Sequence, residues 1–312
     1  MRKLIQTEKV ELLENPKYYL ALTSVFRNEA RFLKEWIEFY KLMGVEHFYL
    51  YNRLSEDNYM QVLEPYIQSG LVDLTQLTYE PKNAVEWRSL VQNKAYLNAS
   101  IAVKNEVEWL ICLDADEFIY PLDDVNLRNV LRRYDDYASL SLHFRNFLSC
   151  GVQKIEDGEL MIEKLLMAKG GLDEWVKTIV KPRYVAGFSS AHYPDLKNGY
   201  VQVRENYELF HGHINKNPIM DIIAINHYKY RDLEFFNSVK LSRISVAGNE
   251  FRKNFFMNEN KCDKAVYDDK ILKFAPLLRD AVFKADFNIT SVDINQVFVG
   301  EGGDLIDLSV EQ

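Results

Sequence analysis

Residues Trp109–Pro121 read WLICLDADEFIYP. A buried-type run leads straight into Asp114, Asp116 and Glu117, then into aromatic residues again. Acids crowded at the end of an apolar strand repel one another and lose solvation unless a positive group sits among them. Residues i and i+2 of a strand share a face, so Asp114 and Asp116 can aim into one cleft as the strand gives out. Glu117 points to the other face and reads as support. Oxygen-rich ligation with open positions suits Mg2+ or Mn2+, completed by water and phosphate oxygens. The bland alternative is a strand-to-turn boundary whose acids are solvated or cap a helix; a D-x-D by itself is common.

Working outward, Tyr18–Val25 (YYLALTSV) reads as a buried strand, followed by FRNEA and an amphipathic helix. That helix carries Phe32, Leu33, Trp36, Ile37 and Tyr40 on one stripe and ends at Gly44. Strands are expected at His47–Tyr51 and Val72–Leu77, and helices at Tyr59–Gln68 and Trp87–Val103. The alternation predicts an α/β fold: a mixed, mainly parallel sheet flanked by crossover helices. Ligands of such sheets bind beyond the carboxyl ends of the strands. FRNE, NRLSED and DADE each follow a strand, so three pieces of chain converge on one rim. Downstream, a short helix (Asn126–Tyr134) precedes a strand, SLSLHFRNFL. KTIVKPRYVAGFSSAHYPD reads as one or two strands, and the pattern turns charged and helical from Tyr230. The expected division is residues 1–228 as the site-bearing domain and 229–312 as a mainly helical C-terminal extension packed on it.

The 312 residues are 47% hydrophobic and 27% charged, an ordinary globular balance. No stretch approaches the run of about 18 apolar residues that spans a bilayer, and the N-terminus lacks the apolar region of a signal peptide. Cys112, Cys150 and Cys262 are scattered, with no C-x-x-C. That pattern suits a reducing compartment and argues against a disulfide framework or zinc ribbon. A cytoplasmic protein is expected, peripheral attachment at the inner membrane face remaining open. The net charge of −8 gives no basic face for nucleic acid. Oligomeric state is not legible in the sequence.

TSVFRNEARFLKEWIEFYKLMGVEHFYLYNRLSED, then QNKAY, then WLICLDADEFIYP together resemble the nucleotide-sugar glycosyltransferases of the GT-A fold. More narrowly, they are similar to the glycosyltransferase family 92 (DUF23-like) group and its family-2-like relatives. INHYKYRDLEFFNSVKLSR is similar to the group's later HY…EEF…K segment. The likeness runs from about Ala21 to Arg243, with motifs specific in combination and weak separately. One departure is Tyr40, where many relatives carry histidine.

The resemblance implies a Rossmann-type GT-A sheet and a nucleotide-sugar pocket lined by Ser24, Phe26, Arg27, Asn28, Glu29 and Asn52. Helix N-terminal N–H groups at the first loop would suit a base or phosphate there. Ser55 and Asp57 fit a ribose- or base-contacting loop, though turn chemistry explains them nearly as well. Gln92, Asn93 and Lys94 are implied near the sugar nucleotide; a solvated helix face is the alternative. Asp114 and Ala115 are implied on the nucleotide side, and Asp114 and Asp116 as ligands of Mn2+ or Mg2+. A downstream histidine commonly completes that shell, with His192 preferred and His227 its rival. A hydrogen-bonded structural histidine is the alternative for each.

His47 and His143 lie in apolar strand contexts and read as packed, while His211 and His213 read as a turn. Sugar transfer with inversion needs a general base for the acceptor hydroxyl, and Asp173 and Glu174 in GGLDEW are the candidates. They are also ordinary loop acids. Lys177, Lys181 and Arg183 offer a cation for a leaving diphosphate, though most lysines are simply solvated. The expected function is metal-dependent transfer from a nucleotide sugar, UDP-linked by expectation, to a hydroxyl of a glycan or glycolipid, with inversion implied by family. Surface-polysaccharide synthesis is the associated process. One rival is a sugar nucleotidyltransferase, disfavoured because FRNEARF lacks the glycines of a phosphate loop. The other is a non-catalytic carbohydrate-binding or scaffold protein using its many aromatic residues.

Overall fold

The computed structural model describes residues 6–241 and 250–284. Strand β1 (Tyr18–Phe26) carries no charged side chain and is buried from Leu20 onward. It feeds α1 (Ala30–Leu42), whose Trp36, Ile37, Phe39 and Tyr40 are fully buried. The helix borrows its N-terminal cap from the next crossover: Asp57 Oδ2 accepts the Ala30 N–H at 2.8 Å. It stops at Gly44, where φ is +89° and a Cβ would fall 2.6 Å from Asn126 Oδ1. Glycine alone fits that corner.

β2 (His47–Arg53), α2 (Tyr59–Gln68) and β3 (Val72–Leu77) repeat the unit. The expected long helix is continuous but changes pitch, with a π turn over Trp87–Gln92 before the α-helix Asn93–Val103. β4 (Val107–Cys112) is buried at every position, and β5 (Glu117–Pro121) follows the acidic turn. SLSLHFRNFL is not one strand: β6 (Ser139–His143) and β7 (Arg145–Asn146) enter different sheets, with Phe144 as the corner. After β8 (Met167–Lys169), the KTIVKPR segment gives β9 (Val176–Val180) and then a hairpin, β10 (Val185–Ser190) with β11 (Tyr193–Leu196). β12 (Gln202–Arg204), β13 (Leu209–Phe210), β14 (Ile223–His227) and β15 (Ala265–Tyr267) complete the described strands.

The main sheet runs β13-β12-β6-β9-β4-β1-β2-β3. Its β4-β1-β2-β3 part is parallel, as the alternation requires. β9 is antiparallel to both β4 and β6, which lays its beginning beside the end of β4, Thr178 opposite Cys112. A smaller sheet, β5-β14-β7, stands at that same end. One apolar cluster joins the main sheet to α1 and α2, and a second joins it to the helix Asn93–Val103. Each fully buried Leu, Ile or Phe in them contributes about 2 kcal/mol.

The described part of the C-terminal extension packs back on this body. Phe274 stacks edge-on against Phe39 of α1, and β15 pairs with β8. Cys150 and Cys262, 112 residues apart, meet as a disulfide with Cα atoms 5.5 Å from each other. This overturns the expectation drawn from their spacing: cysteines scattered along the chain are adjacent in the fold. Cys112 is a buried free thiol. Among the described residues no helix is long and apolar enough to cross a membrane.

Candidate active site

The acidic stretch folds as a tight turn between β4 and β5. Glu117 N–H donates to Asp114 O at 3.2 Å, and Asp114 N–H donates to Glu117 Oε2 at 3.1 Å. Positive groups answer the crowding. Lys177 Nζ lies 2.6 Å from Asp114 Oδ2 and 3.0 Å from Glu117 Oε2. Lys240 Nζ lies 2.6 Å from Asp116 Oδ2. Arg231, fully buried, donates to Ala115 O at 2.8 Å and to Glu29 Oε2 at 3.0 Å, tying the turn to the start of α1. Burial alone would lower the Lys177 pKa, but the Asp114 and Glu117 carboxylates outweigh it and raise it. Burial opposes the charge of Asp116 too, yet Lys240 and His227 hold its carboxyl well below the usual range. Glu117, with no exposed surface, is pushed up by burial.

The two histidine candidates separate. β14 sets His227 directly opposite Glu117, and its Nε2 lies 3.5 Å from Asp116 Oδ1. His192 Nδ1 instead contacts Val176 O at 2.9 Å, its ring tilted against Trp175. Burial, reinforced by the nearby Lys177 ammonium, lowers its pKa to about 3. Among the described residues no hydrogen bond or ion pair joins His192 to either aspartate, although the Asp114 charge acts on it, whereas His227 is in contact with Asp116. A divalent ion would need uncommitted donors in this set. Asp114 is already committed, Oδ2 to Lys177 and Oδ1 to Gln92 Nε2 at 2.5 Å. Asp116 and His227 stand beside each other, but Asp116 Oδ2 is held by Lys240 at 2.6 Å as Asp114 is by Lys177, so an ion there would have to displace that ammonium. The nitrogen of His227 without a hydrogen-bond partner is Nδ1, not the Nε2 that faces Asp116. Mg2+-type sites commonly use one or two protein ligands and draw the rest from phosphate and water, so these residues fit an open site of that kind only with the Lys240 ammonium displaced.

The expected nucleotide loops are joined to each other. Asn28, at φ +51°, donates its N–H to Ser55 Oγ at 2.8 Å and accepts from Glu56 N–H at 2.8 Å. Asn52 bridges to Gln76 Oε1 at 2.7 Å and accepts from Ser55 N–H at 3.2 Å. Ser55 and Asp57 therefore each spend an oxygen on the backbone, which favours the turn reading. Asp57 Oδ1, Ser24 Oγ and Asn93 Oδ1 are buried without partners. Phe26 packs edge-on against Tyr59, Arg27 lies 3.8 Å from Glu56, and Lys94 is half-buried. Tyr40, the departure from the resemblance, is structural here. Its hydroxyl donates to Glu117 O and accepts the Ile119 N–H, both at 2.9 Å.

β7 lies on the other side of β14, with Asn146 opposite His227. Asn146 Nδ2 donates to Asp173 Oδ2 at 2.8 Å, and Trp175 N–H to Asp173 Oδ1 at 3.1 Å. Asn146, Lys169 and Gly171–Trp175 line a cavity of about 350 Å³. Asp173 is thus pinned at its edge, and Glu174 is exposed beside it. Residues in register on neighbouring strands share a face, so Glu117, His227 and Asn146 form one row leading from the acidic turn to this cavity. Trp175 does not offer a free ring, being stacked on His213 at 4.8 Å.

Residues 17–268 match the family described as Glycosyltransferase family 92. The chain belongs to that family. A family 92 protein of Ricinus communis is 23% identical over 249 residues, 76% of this chain and 41% of that protein. One from Oryza sativa subsp. japonica is 25% identical over 230 residues, 73% of this chain and 36% of that protein. The chain thus spans about two fifths of the curated relatives it matches. Among solved structures, S. aureus TarS in complex with UDP-GlcNAc covers 78% of this chain and 71% of its own, at 11% identity and TM-score 0.39.

In this family 92 chain, the cations are what sequence reasoning undervalued. Lys177 and Lys181, grouped with solvated lysines, are both fully buried, the latter 3.2 Å from Glu108. A signal was present: VKTIVK places both lysines in an otherwise apolar strand, and a lysine there needs a carboxylate. Arg231 and Lys240 lie within the quoted RDLEFFNSVK segment, where no reading of local pattern reaches a turn more than a hundred residues earlier.

Proposed function

We propose that this chain transfers a glycosyl group from a nucleotide sugar, UDP-linked by preference, to a hydroxyl of a glycan or glycolipid. The observation carrying this reading is the row Glu117–His227–Asn146, which links the acidic turn to the Asp173 cavity. At about 4.8 Å per strand, donor and acceptor groups on that row lie within reach of each other. The donor diphosphate is assigned to the Asp116–Lys240 end and the acceptor to the cavity. Asp173, held by Asn146 and Trp175, takes the proton of the acceptor hydroxyl as its oxygen attacks the anomeric carbon. The bond from that carbon to the diphosphate oxygen breaks on the opposite face, giving inversion, and the nucleoside diphosphate leaves with its charge met by the Lys240 ammonium. A Mn2+ or Mg2+ ion held by Asp116 and His227 would supply Lewis-acid stabilisation of the same leaving group.

The test is a screen of UDP-, GDP- and other nucleotide sugars, with and without Mn2+, for donor hydrolysis and for transfer to oligosaccharide acceptors. Asp116→Asn and Asp173→Asn are run alongside the native chain. Hydrolysis or transfer with one donor class, reduced in both variants, supports the assignment. Glycan binding by calorimetry with no nucleotide binding under any condition would sink it in favour of a non-catalytic binding protein.

A further inference from the structure

Resting on that donor reading, we infer that the outward side of the Arg53–Trp87 stack seats the nucleobase of the donor. Arg53 is the last residue of β2, at the carboxyl rim of the parallel strands. Its guanidinium carbon lies 5.1 Å from the centroid of the Trp87 ring. Trp87 also packs against the second apolar cluster, and both side chains remain partly exposed at the rim.

The change of helical pitch explains why Trp87 is there. Trp87 begins the π turn and Gln92 ends it, and Gln92 Nε2 donates to Asp114 Oδ1 at 2.5 Å. In an α-helix, five residues turn the chain by about 500°, leaving their side chains about 140° apart. The i→i+5 bonding of a π turn, seen where Asn93 N–H meets Arg88 O, widens the turn and brings residues five apart closer to one face. The same turn can therefore face Gln92 toward the acidic site and Trp87 toward the rim beside it. π turns of this length concentrate at functional sites.

The spacing suits a nucleotide. β2 and β4 flank β1, so Arg53 and Asp114 stand about 10 Å apart along the rim, two strand intervals. A nucleoside diphosphate laid along it places its base on Arg53–Trp87, its ribose near Gln92 and Asp114, and its phosphates toward Asp116 and Lys240. Stacking on an indole–guanidinium pair accepts any base, because every base has a π face. The pair accordingly contributes affinity rather than choice among bases.

The experiment is titration of the full chain with UDP, GDP and inorganic pyrophosphate, followed by calorimetry and tryptophan fluorescence. Trp36 and Trp109 are fully buried, so Trp87 is one of two half-exposed tryptophans, the other being Trp175, whose ring is stacked on His213. Nucleotides are expected to quench native fluorescence and pyrophosphate is not. Trp87→Phe, which keeps a stacking ring, should lose the quench while binding within a few-fold of native. Trp87→Ala should weaken UDP and GDP alike by about 10- to 100-fold. Quenching that survives in Trp87→Phe, or native affinity in Trp87→Ala, overturns the assignment and leaves the donor reading standing. A native chain that binds neither nucleotide overturns both.

Discussion

The ammonium of Lys177 stands between Asp114 and Glu117, 2.6 Å from the first and 3.0 Å from the second. Both Lys177 and Glu117 are sealed from solvent, so each neutralises a charge the other could not carry alone. Removing one partner of a buried pair costs about 3–5 kcal/mol, whereas replacing both can be near neutral. Lys177→Met should therefore be destabilised by about that amount in urea denaturation. Lys177→Met with Glu117→Gln should recover part of the loss. Equal midpoints for native and single variant would show that the pair contributes nothing to stability.

Asp116 has a different neighbourhood, with Lys240 at 2.6 Å and His227 at 3.5 Å. Asp116→Asn is expected to lower transfer by about 100- to 1,000-fold, the usual loss when one electrostatic group at a reacting centre is removed. Its thermal midpoint should fall as well, since the amide leaves the Lys240 ammonium without its counter-charge, so the loss of transfer is read at a temperature where the variant is folded. Lys240→Ala should raise the inhibition constant of a nucleoside diphosphate more than that of a nucleoside. A uniform change for both would place Lys240 away from the phosphates.

Burial lowers the pKa of His143 to about 4, with Arg204 adding to the effect. Its native form is neutral, and protonation favours the unfolded chain, whose histidine titrates near 6.5. The stability it contributes is complete above about pH 6.5 and is lost as pH falls toward 4, by up to about 3 kcal/mol. His143→Gln should flatten that part of the stability profile measured by denaturant between those limits. An unchanged slope would assign the acid sensitivity to other groups.

The Cys150–Cys262 disulfide encloses 112 residues of sequence. Chain-entropy reasoning for a loop of about 100 residues gives close to 4–5 kcal/mol of stabilisation, less any native distortion. Cys150→Ser, or native protein in reductant, should lose stability of that order in denaturant titration. Identical curves with and without reductant would show that the bond does not form in solution. Its presence would also favour folding in an oxidising setting over the cytoplasmic expectation.

How far the sequence could be read is clearest by contrasting particular elements. The strands around the acidic turn and both early helices were legible because periodicity and Gly44 and Gly70 act within a few residues. The corner at Phe144 was not. Both halves of SLSLHFRNFL are apolar enough for burial, and only the competition of two sheets for β6 and β7 divides them. The acidic turn announced a need for positive charge without naming its source. A metal, a lysine on β9 and a lysine after β14 answer that need equally well in one dimension. Seeing which histidine meets Asp116 likewise required the β5–β14 register, which sets His227 opposite Glu117 from more than a hundred residues away in the chain. Ser55 and Asp57 were equally open until the partner N–H groups of Asn28 and Ala30 were in view.

The bond between Cys150 and Cys262 has one more consequence, in covalent topology. Asp173, Lys177, His227 and Lys240 all lie between its ends, so these groups belong to a closed ring of chain, while Asp114 and Asp116 stand outside it. A single peptide cut inside that ring leaves two fragments still joined. They would migrate as one species until the cysteines are reduced, and the two halves of the site would remain tethered throughout.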